Sequence, residues 1–354
     1  MPVRTVAAVP GVPDHPTVRL GRIGVLLVNL GTPDSTSIPD IRRYLAEFLS
    51  DRRVIDVNPV LWKLILHGVI LRTRPPKTAE AYRAIWLAET DESPLRYHTR
   101  ATAEALQARL DPGAETVRVD WAMRYGNPAI RDRMQALQDE GCDRILVLPL
   151  YPQYAASTTA TVVDEVARHL VDARWQPAVR TVPAFHDDPA YIEAVAAGIE
   201  THLGTLDWQP EVILASFHGL PKRYLTLGDP YHCHCAKTAR LLRTRLGLDE
   251  SRLRLTFQSR FGREEWLQPY TDETIESLAL SGVKRLAVVM PGFVADCVET
   301  LEEIAIQARE TFEDAGGTHF AAIPCLNSSA DAVALYETLV RRELAGWWKA
   351  EEVG

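Results

Sequence analysis

The chain has 354 residues, of which 46% are hydrophobic and 24% are charged, a composition typical of a globular protein with two domains. The net charge of −8 argues against a nucleic-acid partner, and no apolar run approaches the roughly 20 residues of a membrane helix. Five cysteines, an odd number, fit a reducing compartment better than a disulfide framework. We therefore expect a cytoplasmic enzyme.

Residues 1–20 contain four prolines but no apolar stretch of the kind found in signal peptides, so we expect a disordered lead-in there. Beyond it, apolar β-branched runs alternate with helical patterns, which predicts an α/β protein with parallel sheets covered on both faces. The expected strands are Ile23–Leu30, Val117–Met123, Arg144–Leu150, Val179–Pro183, Val212–Phe217, Leu253–Gln258, Leu286–Met290 and Phe320–Ile323.

Three strand exits in the first half of the chain resemble three in the second half. This repeat predicts two similar Rossmann-like, doubly wound domains that face each other across a cleft. We expect the first domain at residues 21–172 and the second at residues 173–324. A C-terminal helix within residues 325–354 is expected to pack back on the first domain.

The segment Asn58–Leu71 departs from this pattern because it combines Trp62 with many aliphatic residues. A helix so rich in large apolar residues usually belongs to a core. The alternative is a hydrophobic lip beside the cleft, for a flat apolar ligand or a membrane surface. The sequence leaves both interpretations open.

The strand expected at Val212–Phe217 ends in His218, and ligands of open α/β sheets bind at that edge. The exit of a later strand leads into a helix start that brings Asp296, Glu299 and Glu303 to the same edge. An imidazole opposite a row of carboxylates is suited to handle a metal ion or protons. Taken singly, His218 could be structural, and Glu299 could be a solvated carboxylate favoured by the helix dipole.

The usual nucleotide and nucleophile motifs of doubly wound sheets are missing. The first strand is followed by Gly31–Asp34 and no Gly-x-Gly-x-x-Gly, and neither a Walker A motif nor a Gly-x-Ser-x-Gly elbow occurs. The run His232–Cys235 could suggest a metal site, but four consecutive residues do not easily surround a tetrahedral ion. A polar loop with free thiols is the favoured interpretation.

Taken together, the motifs resemble those of the ferrochelatases, which insert ferrous iron into a porphyrin. The resemblance spans about residues 21–344, and its most specific parts are Ser216–Pro221 and Glu299–Leu301. Further matching stretches are Val25–Pro33, Arg74–Lys77 with Tyr82, Leu148–Tyr154, Ser157–Thr159, Gly228–Tyr231, Gln258–Ser259 with Trp266, and Gly292–Phe293 with Asp296.

The resemblance implies two four-stranded parallel sheets flanked by helices. It implies that His218 and Glu299 are the catalytic residues and the metal ligands, and that Asp296 and Glu303 form an acidic path for protons or metal. It also places four residues in the porphyrin cleft: Arg74, Tyr125, Tyr154 and Trp266. The implied partners are porphyrin and ferrous iron, with protoporphyrin IX favoured over coproporphyrin III, and the enzyme is expected to be a monomer or a homodimer.

Two departures from the family pattern matter. Cys297 stands where a histidine is often found between the aspartate and the glutamate, which puts an auxiliary relay at that position in doubt. Ala155 and Ala156 stand where animal-type members carry a cluster cysteine, and no cysteine follows Cys325. We therefore expect no iron–sulfur cluster and no cofactor beyond substrate iron, while metal binding by Cys233 and Cys235 stays open.

Three other functions fit parts of the pattern. A cobalt or nickel chelatase for another tetrapyrrole would use paired histidines, and only His218 lies at a strand exit. A porphyrin carrier would need the pocket but not the carboxylates. A metal-dependent hydrolase would want three protein ligands around an open site. A cytoplasmic location, with a peripheral contact to the inner membrane through the Trp62 lip, completes the expectation.

Overall fold

The computed structural model describes residues 4–6, 18–262 and 264–348. The short strands β1 (Arg4–Val6) and β2 (Val18–Leu20) pair antiparallel, so the expected disorder of residues 1–20 is wrong for these six residues. The rest of the lead-in and the last six residues lie outside the described residues. Within that described part of the chain, no helix is both long and apolar enough to cross a bilayer.

Eight further strands form two sheets of four, and all are parallel within their sheet. The first sheet has the order β4-β3-β5-β6 and the second has the order β10-β9-β7-β8. If the strands of each half are numbered along the chain, both sheets have the order second, first, third, fourth, with the second sheet taken from β8 to β10. The expected repeat of two doubly wound halves is therefore confirmed. The strands are β3 (Arg22–Gly31), β4 (Val117–Tyr125), β5 (Cys142–Pro149), β6 (Ala178–Thr181), β7 (Val212–His218), β8 (Leu253–Gln258), β9 (Arg285–Val289) and β10 (His319–Ala322).

Helices cover the faces of both sheets, which explains why the central strands β3 and β7 are almost continuously apolar and buried. The helices are α1 (Ile38–Ser50), α2 (Pro59–Ile65), α3 (Leu71–Ile85), α4 (Pro94–Leu110), α5 (Ile130–Asp139), α6 (Thr161–Asp172), α7 (Pro189–Gly204), α8 (Lys222–Thr226), α9 (Tyr231–Leu246), α10 (Thr271–Leu280), α11 (Val298–Thr300), α12 (Arg309–Asp314) and α13 (Ala330–Glu343). Three segments are π-helical: Leu66–Ile70, Ala156–Ala160 and Leu301–Ala308.

The limits of the two halves differ from the expected ones. Strand β6 pairs with β5 in the first sheet, so a boundary between residues 172 and 173 would remove the last strand from that sheet. Helix α13 packs against α4 in the first half and against α7. A salt bridge of 3.0 Å between Arg109 Nε and Glu337 Oε2 fixes α13 to α4.

The apolar segment after Asn58 has both a core side and an exposed side. The Trp62 indole donates a hydrogen bond of 2.7 Å to the Leu49 carbonyl and packs on the buried cluster around α1. Val60, Leu61 and Leu64 are 72%, 59% and 69% exposed. Trp62 therefore belongs to the core side, and the exposed apolar surface is made by its aliphatic neighbours.

Candidate active site

A cavity of about 320 Å³ lies between the two halves, at the carboxyl ends of the strands. The exits of β3, β5, β7 and β9 all contribute to its wall, and these are the first and third strands of each sheet. The order of the strands reverses between those two positions, which is where open α/β sheets bind ligands. The wall is mostly apolar, with a few polar groups that include Arg74, Tyr44, Tyr82, His218, Trp266 and Glu299.

His218 is the last residue of β7 and is half-buried at the cavity wall. Its Nδ1 lies 2.6 Å from the Gly219 carbonyl oxygen. A carbonyl can only accept, so Nδ1 carries the proton and Nε2 keeps the lone pair of the neutral imidazole. The Tyr231 hydroxyl donates a bond of 3.0 Å to the His218 carbonyl and holds the backbone there. The local structure thus leaves one ring nitrogen free for chemistry.

Glu299 lies in α11, a single turn that follows the exit of β9 and leads directly into the π-helical segment. Its backbone carbonyl accepts a bond of 2.8 Å from Gln258 Nε2. Burial, with the nearby Glu299 carboxylate as a further cause, raises the pKa values of Tyr44 and Tyr82. Both phenols therefore keep their protons beside this carboxylate and remain hydrogen-bond donors.

Glu303 lies one turn beyond Glu299, in the π-helical segment, and its carboxylate is held by Ser259. The Ser259 amide donates to Oε1 over 2.8 Å and its hydroxyl donates to Oε2 over 2.5 Å. Burial raises the pKa of Glu303 and the Glu299 carboxylate adds to that shift, while the Ser259 bonds act against it, as a protonated His218 also would. Glu303 therefore lies close enough to His218 and Glu299 for both to influence its carboxylate.

Asp296 does not line the cavity, unlike Glu299. Its Oδ1 accepts from the Thr300 hydroxyl over 2.9 Å, and its Oδ2 accepts from Asn327 Nδ2 over 2.6 Å. The carboxylate is 7% exposed and is occupied with fixing the loop before α11. The structure therefore places Asp296 behind the wall as a support of the Glu299 turn.

Two of the four residues expected in the porphyrin cleft line the cavity. The Arg74 guanidinium lies 5.9 Å from the ring centre of Phe261, which in turn packs on Trp266 with ring centres 4.9 Å apart. Arg74 belongs to the first half and the two aromatic residues to the second, so this stack bridges the mouth. The buried Trp266 indole nitrogen has no hydrogen-bond partner in the structure. It is a buried donor that no protein group satisfies.

The other two residues, Tyr125 and Tyr154, are not among the residues that line the cavity, so its wall gives no support to their expected place in the cleft. Tyr125 is fully buried, with its hydroxyl 2.9 Å from Asp51 Oδ2. Asp51 also pairs with Arg124 over 2.5 Å, so Tyr125 completes a buried ion-pair network. The Tyr154 amide donates to His234 Nδ1 over 3.2 Å, which joins the exit of β5 to α9.

The run His232–Cys235 forms the first turns of α9, where a polar loop was expected. The His234 ring stacks on His186, with ring centres 3.6 Å apart and planes 6° from parallel. The in-plane lone pairs of parallel rings do not converge on one ion. Among the described residues, no group of three or more His, Cys, Asp or Glu side chains is arranged to hold a metal.

Several wall residues were not among the predicted site residues, although Tyr82 and Phe293 stand in stretches that match the family. Tyr44 and Phe48 come from α1, Tyr82 comes from α3, and Phe293 follows β9. The helical residues lie on amphipathic faces whose spacing is that of ordinary core positions. The available signal for Tyr82 and Phe293 was that both belong to stretches that match the family.

An apolar cavity at the reversal points of two like α/β halves, with the His218 imidazole and the Glu299 carboxylate in its wall and Glu303 one turn beyond Glu299, is the arrangement of a two-lobed metal chelatase. Two solved structures share the architecture: SirB from Bacillus subtilis with Fe³⁺, at a TM-score of 0.56 and 12% identity, covers 92% of this chain and 97% of that one. The sirohydrochlorin chelatase SirB from Bacillus subtilis subspecies spizizenii in complex with cobalt, at 0.54 and 13%, has the same coverage of 92% and 97%. At these identities the likeness supports the fold alone.

The sequence comparisons are more specific. The Ferrochelatase family model matches residues 22–344. Ferrochelatases of Rhizobium johnstonii and Rhizobium meliloti are each 60% identical over 334 residues, which is 94% of this chain and 97% and 98% of theirs. That of Bradyrhizobium diazoefficiens is 57% identical over 342 residues, 96% of this chain and 99% of its own. The chain belongs to the ferrochelatase family, and it is a chelatase of haem biosynthesis that inserts ferrous iron into a porphyrin.

Proposed function

We propose that His218 and Glu299 carry out the insertion. The observation behind this proposal is that both side chains line one apolar cavity from the exits of neighbouring strands, with Nε2 of His218 left free by the bond at Nδ1. Two pyrrole protons must leave while one divalent ion enters. A neutral imidazole and a carboxylate can each accept a proton or donate a lone pair to the ion.

Glu303 is proposed as the next proton acceptor beyond Glu299. Its raised pKa suits a group that takes up a proton and passes it on, and its electrostatic coupling to Glu299 means that charge on one favours the proton on the other. Asp296 is proposed only as a support, because its bonds to Thr300 and Asn327 fix the loop that leads into the Glu299 turn.

The porphyrin is proposed to lie against the apolar wall, with the Trp266 indole and the Arg74 guanidinium at its polar edge. A guanidinium pairs well with a propionate carboxylate, and the unpartnered indole N–H can donate to another acceptor. Contact over the apolar faces can support bending of the macrocycle, which exposes the pyrrole nitrogens to the ion. Tyr125 and Tyr154 have no part in this proposal.

Iron is a substrate here, and the proposed ligands are few so that the ion can leave for the ring nitrogens. Imidazole and carboxylate discriminate weakly among first-row divalent ions. Insertion of Zn²⁺ and Co²⁺ is therefore expected as well. We also propose that the enzyme carries no iron–sulfur cluster, because Cys142 at the start of β5 and Cys235 in α9 are buried in separate elements and burial raises the pKa of each thiol.

We propose protoporphyrin IX as the substrate, with coproporphyrin III as the competitor, because the two rings differ in the number of carboxylates. The cavity wall offers Arg74 as its one guanidinium among the described residues. Anaerobic turnover with Fe²⁺ and each porphyrin, followed by absorbance, tests this. Faster metallation of coproporphyrin III would overturn the choice of substrate, and binding of both without metallation would overturn the proposed enzymatic role of the site.

We propose a cytoplasmic enzyme with a peripheral membrane contact. The support is the exposed aliphatic surface of Val60, Leu61, Leu64 and Val69, which lies beside the cationic residues Lys63 and Arg72. We call it the α2 surface. A monomer or a homodimer is sufficient for the reaction, since one chain supplies every residue of the cavity wall.

A further inference from the structure

Gln258 occupies an unusual place between the two proposed catalytic residues. It is the last residue of the edge strand β8 and lies opposite His218 in the register of the sheet. Only 4% of it is exposed, so its amide is a buried polar group that needs partners. The cavity wall does not include it. It therefore stands behind the residues that face the cavity.

All three hydrogen-bonding groups of Gln258 that face the site are used. Its carbonyl oxygen accepts from the Gly219 amide over 2.7 Å, and its side-chain Nε2 donates to the Glu299 carbonyl over 2.8 Å. Its Oε1 accepts from the Ser216 hydroxyl over 2.7 Å. One residue thus joins the peptide that follows His218 to the peptide of Glu299.

The orientation of the Gln258 amide is fixed by these partners. With the amide reversed, Oε1 would face the Glu299 carbonyl, and two acceptors would meet in a buried place. The Ser216 hydroxyl is itself held, 2.8 Å from the Thr271 hydroxyl. Ser216 and Thr271 are 0% and 2% exposed. The donor at Glu299 is therefore set by a buried network that is not free to rearrange.

Two neighbours show how closely this junction is built. A Cβ on Gly219 would lie 2.8 Å from the Gln258 carbonyl oxygen, so only glycine permits the approach. Ser259, next in the chain, has a φ of 65°, which is a left-handed conformation for a residue with a side chain. In that conformation it makes both bonds to Glu303. The exit of β8 thus holds the carboxylate helix at two successive residues.

We infer that Gln258 is a positioning residue that sets the separation between His218 and Glu299. The inference rests on the proposed catalytic roles of those two residues. They come from the exits of β7 and β9, and the Gln258 amide, on the far side of β7, connects one exit to the other. Small misplacements of reacting groups lower rates strongly, so removal of this connection should act on turnover and not on binding of the ring.

The first test is Gln258→Met, which keeps the length of the side chain and removes the side-chain hydrogen bonds to Glu299 and Ser216. We expect kcat for metal insertion to fall by about tenfold to a hundredfold, with KM for porphyrin within about twofold of wild type. A folded Gln258→Met enzyme with kcat within about twofold of wild type would overturn the inference.

The matched control is Gln107→Met. Gln107 likewise binds backbone groups through its side-chain amide, which is half-buried where that of Gln258 is buried; it accepts from the Val119 amide over 2.7 Å and donates to the Val117 carbonyl over 3.0 Å. Gln107 lies in α4 beside the start of β4, and the cavity lies at the other end of the strands. We expect its variant to lose thermal stability with kcat unchanged. An equal loss of kcat in both variants would show that general destabilisation is the cause, and would overturn the inference.

The second test, Gln258→Glu, separates positioning from packing. A protonated carboxyl can donate to the Glu299 carbonyl and accept from Ser216, whereas the ionised form places an acceptor against that carbonyl. Burial raises the pKa of such a carboxyl toward neutrality. We expect the kcat of Gln258→Glu relative to wild type to increase as the pH is lowered from about 8 to about 6. A ratio that does not change with pH would contradict the inference.

These outcomes are distinguishable from a failure of the proposed function. If Glu299→Gln and His218→Ala both retain turnover, the catalytic pair itself is wrong, whatever Gln258 does. If those two variants are inactive and Gln258→Met is fully active, the pair stands and only the positioning role is wrong.

Discussion

Ser259 holds both oxygens of Glu303, with its amide 2.8 Å from Oε1 and its hydroxyl 2.5 Å from Oε2. This contact turns a helix carboxylate, which could have been a solvated surface group, into a fixed part of the site. Burial raises the pKa of Glu303, and the neighbouring Glu299 raises it further. The pair therefore suits transfer of a proton from one carboxylate to the next.

Glu299→Gln should lower kcat by about a hundredfold or more, because the amide can neither accept a pyrrole proton nor bind iron with a charge. The cavity wall keeps its shape, so the Kd for porphyrin, measured by quenching of its fluorescence, should stay within about threefold of wild type. A variant that loses only porphyrin affinity would instead make Glu299 a contact of the substrate.

Tyr125→Phe should destabilise the fold without changing porphyrin recognition. The hydroxyl donates to the buried Asp51 carboxylate, and loss of a hydrogen bond to a charged group costs about 1.5–3 kcal/mol. Urea unfolding should show that loss, while KM for porphyrin stays as in wild type. A large increase in KM at unchanged stability would place Tyr125 in the cleft after all.

Leu64→Glu should weaken binding to vesicles that contain anionic lipid, because Leu64 is 69% exposed at the centre of the α2 surface. The control is Val171→Glu at the end of α6, where an apolar side chain is 82% exposed away from that surface. We expect at least a fivefold loss in sedimentation with vesicles for the first variant and no loss for the second. Equal binding of both variants and wild type would rule out the α2 surface as the contact.

The stacked pair of His186 and His234 predicts a loss of stability in acid. Burial, and then the charge of His234, lowers the pKa of His186 to about 4, and burial also lowers the pKa of His234. In the unfolded chain both imidazoles bind protons near pH 6.5, whereas in the folded protein they do so only at lower pH. The folded state is therefore fully favoured above about pH 6.5, and that contribution to stability is lost as the pH falls toward about 4.

Between about pH 7 and pH 5.5 the free energy of unfolding should therefore fall by about 1 kcal/mol more in wild type than in His186→Asn. Urea unfolding at both pH values measures the difference. His319→Asn, which removes an exposed imidazole on β10, controls for loss of a histidine as such. Parallel pH dependence of wild type and His186→Asn would show that the stacked pair is not the titrating element.

The sheets could be predicted because their signal is local. Each of the eight expected strands is present with its ends within two residues, since near-continuous apolar runs are what buried parallel strands require. The boundary at residue 172 could not be predicted, because the short, half-exposed strand β6 has the same local pattern whichever sheet it joins. The strand with which β6 pairs is decided only in the folded chain.

The grouping of the candidate site residues could be predicted for a similar reason. His218, Glu299 and Glu303 follow strand exits, and the topology of the sheet brings such exits together. Tyr125 was assigned to the cleft by the resemblance alone, and sequence does not tell whether the last side chain of a strand points into the cleft or into the helices behind it. The sequence left Trp62 open between a core and a lip position for the same reason, since the orientation of its helix depends on the Leu49 carbonyl, which accepts its indole N–H.

The most direct measurement is anaerobic insertion of Fe²⁺ into protoporphyrin IX by His218→Ala, with far-UV circular dichroism to show that the variant is folded. Nε2 of His218 is the ring nitrogen left free at the cavity wall, and the backbone bonds that shape its turn do not need the imidazole. We expect the folded variant to bind porphyrin and to form no haem. Turnover near that of wild type would contradict the central claim that His218 and Glu299 together perform the reaction.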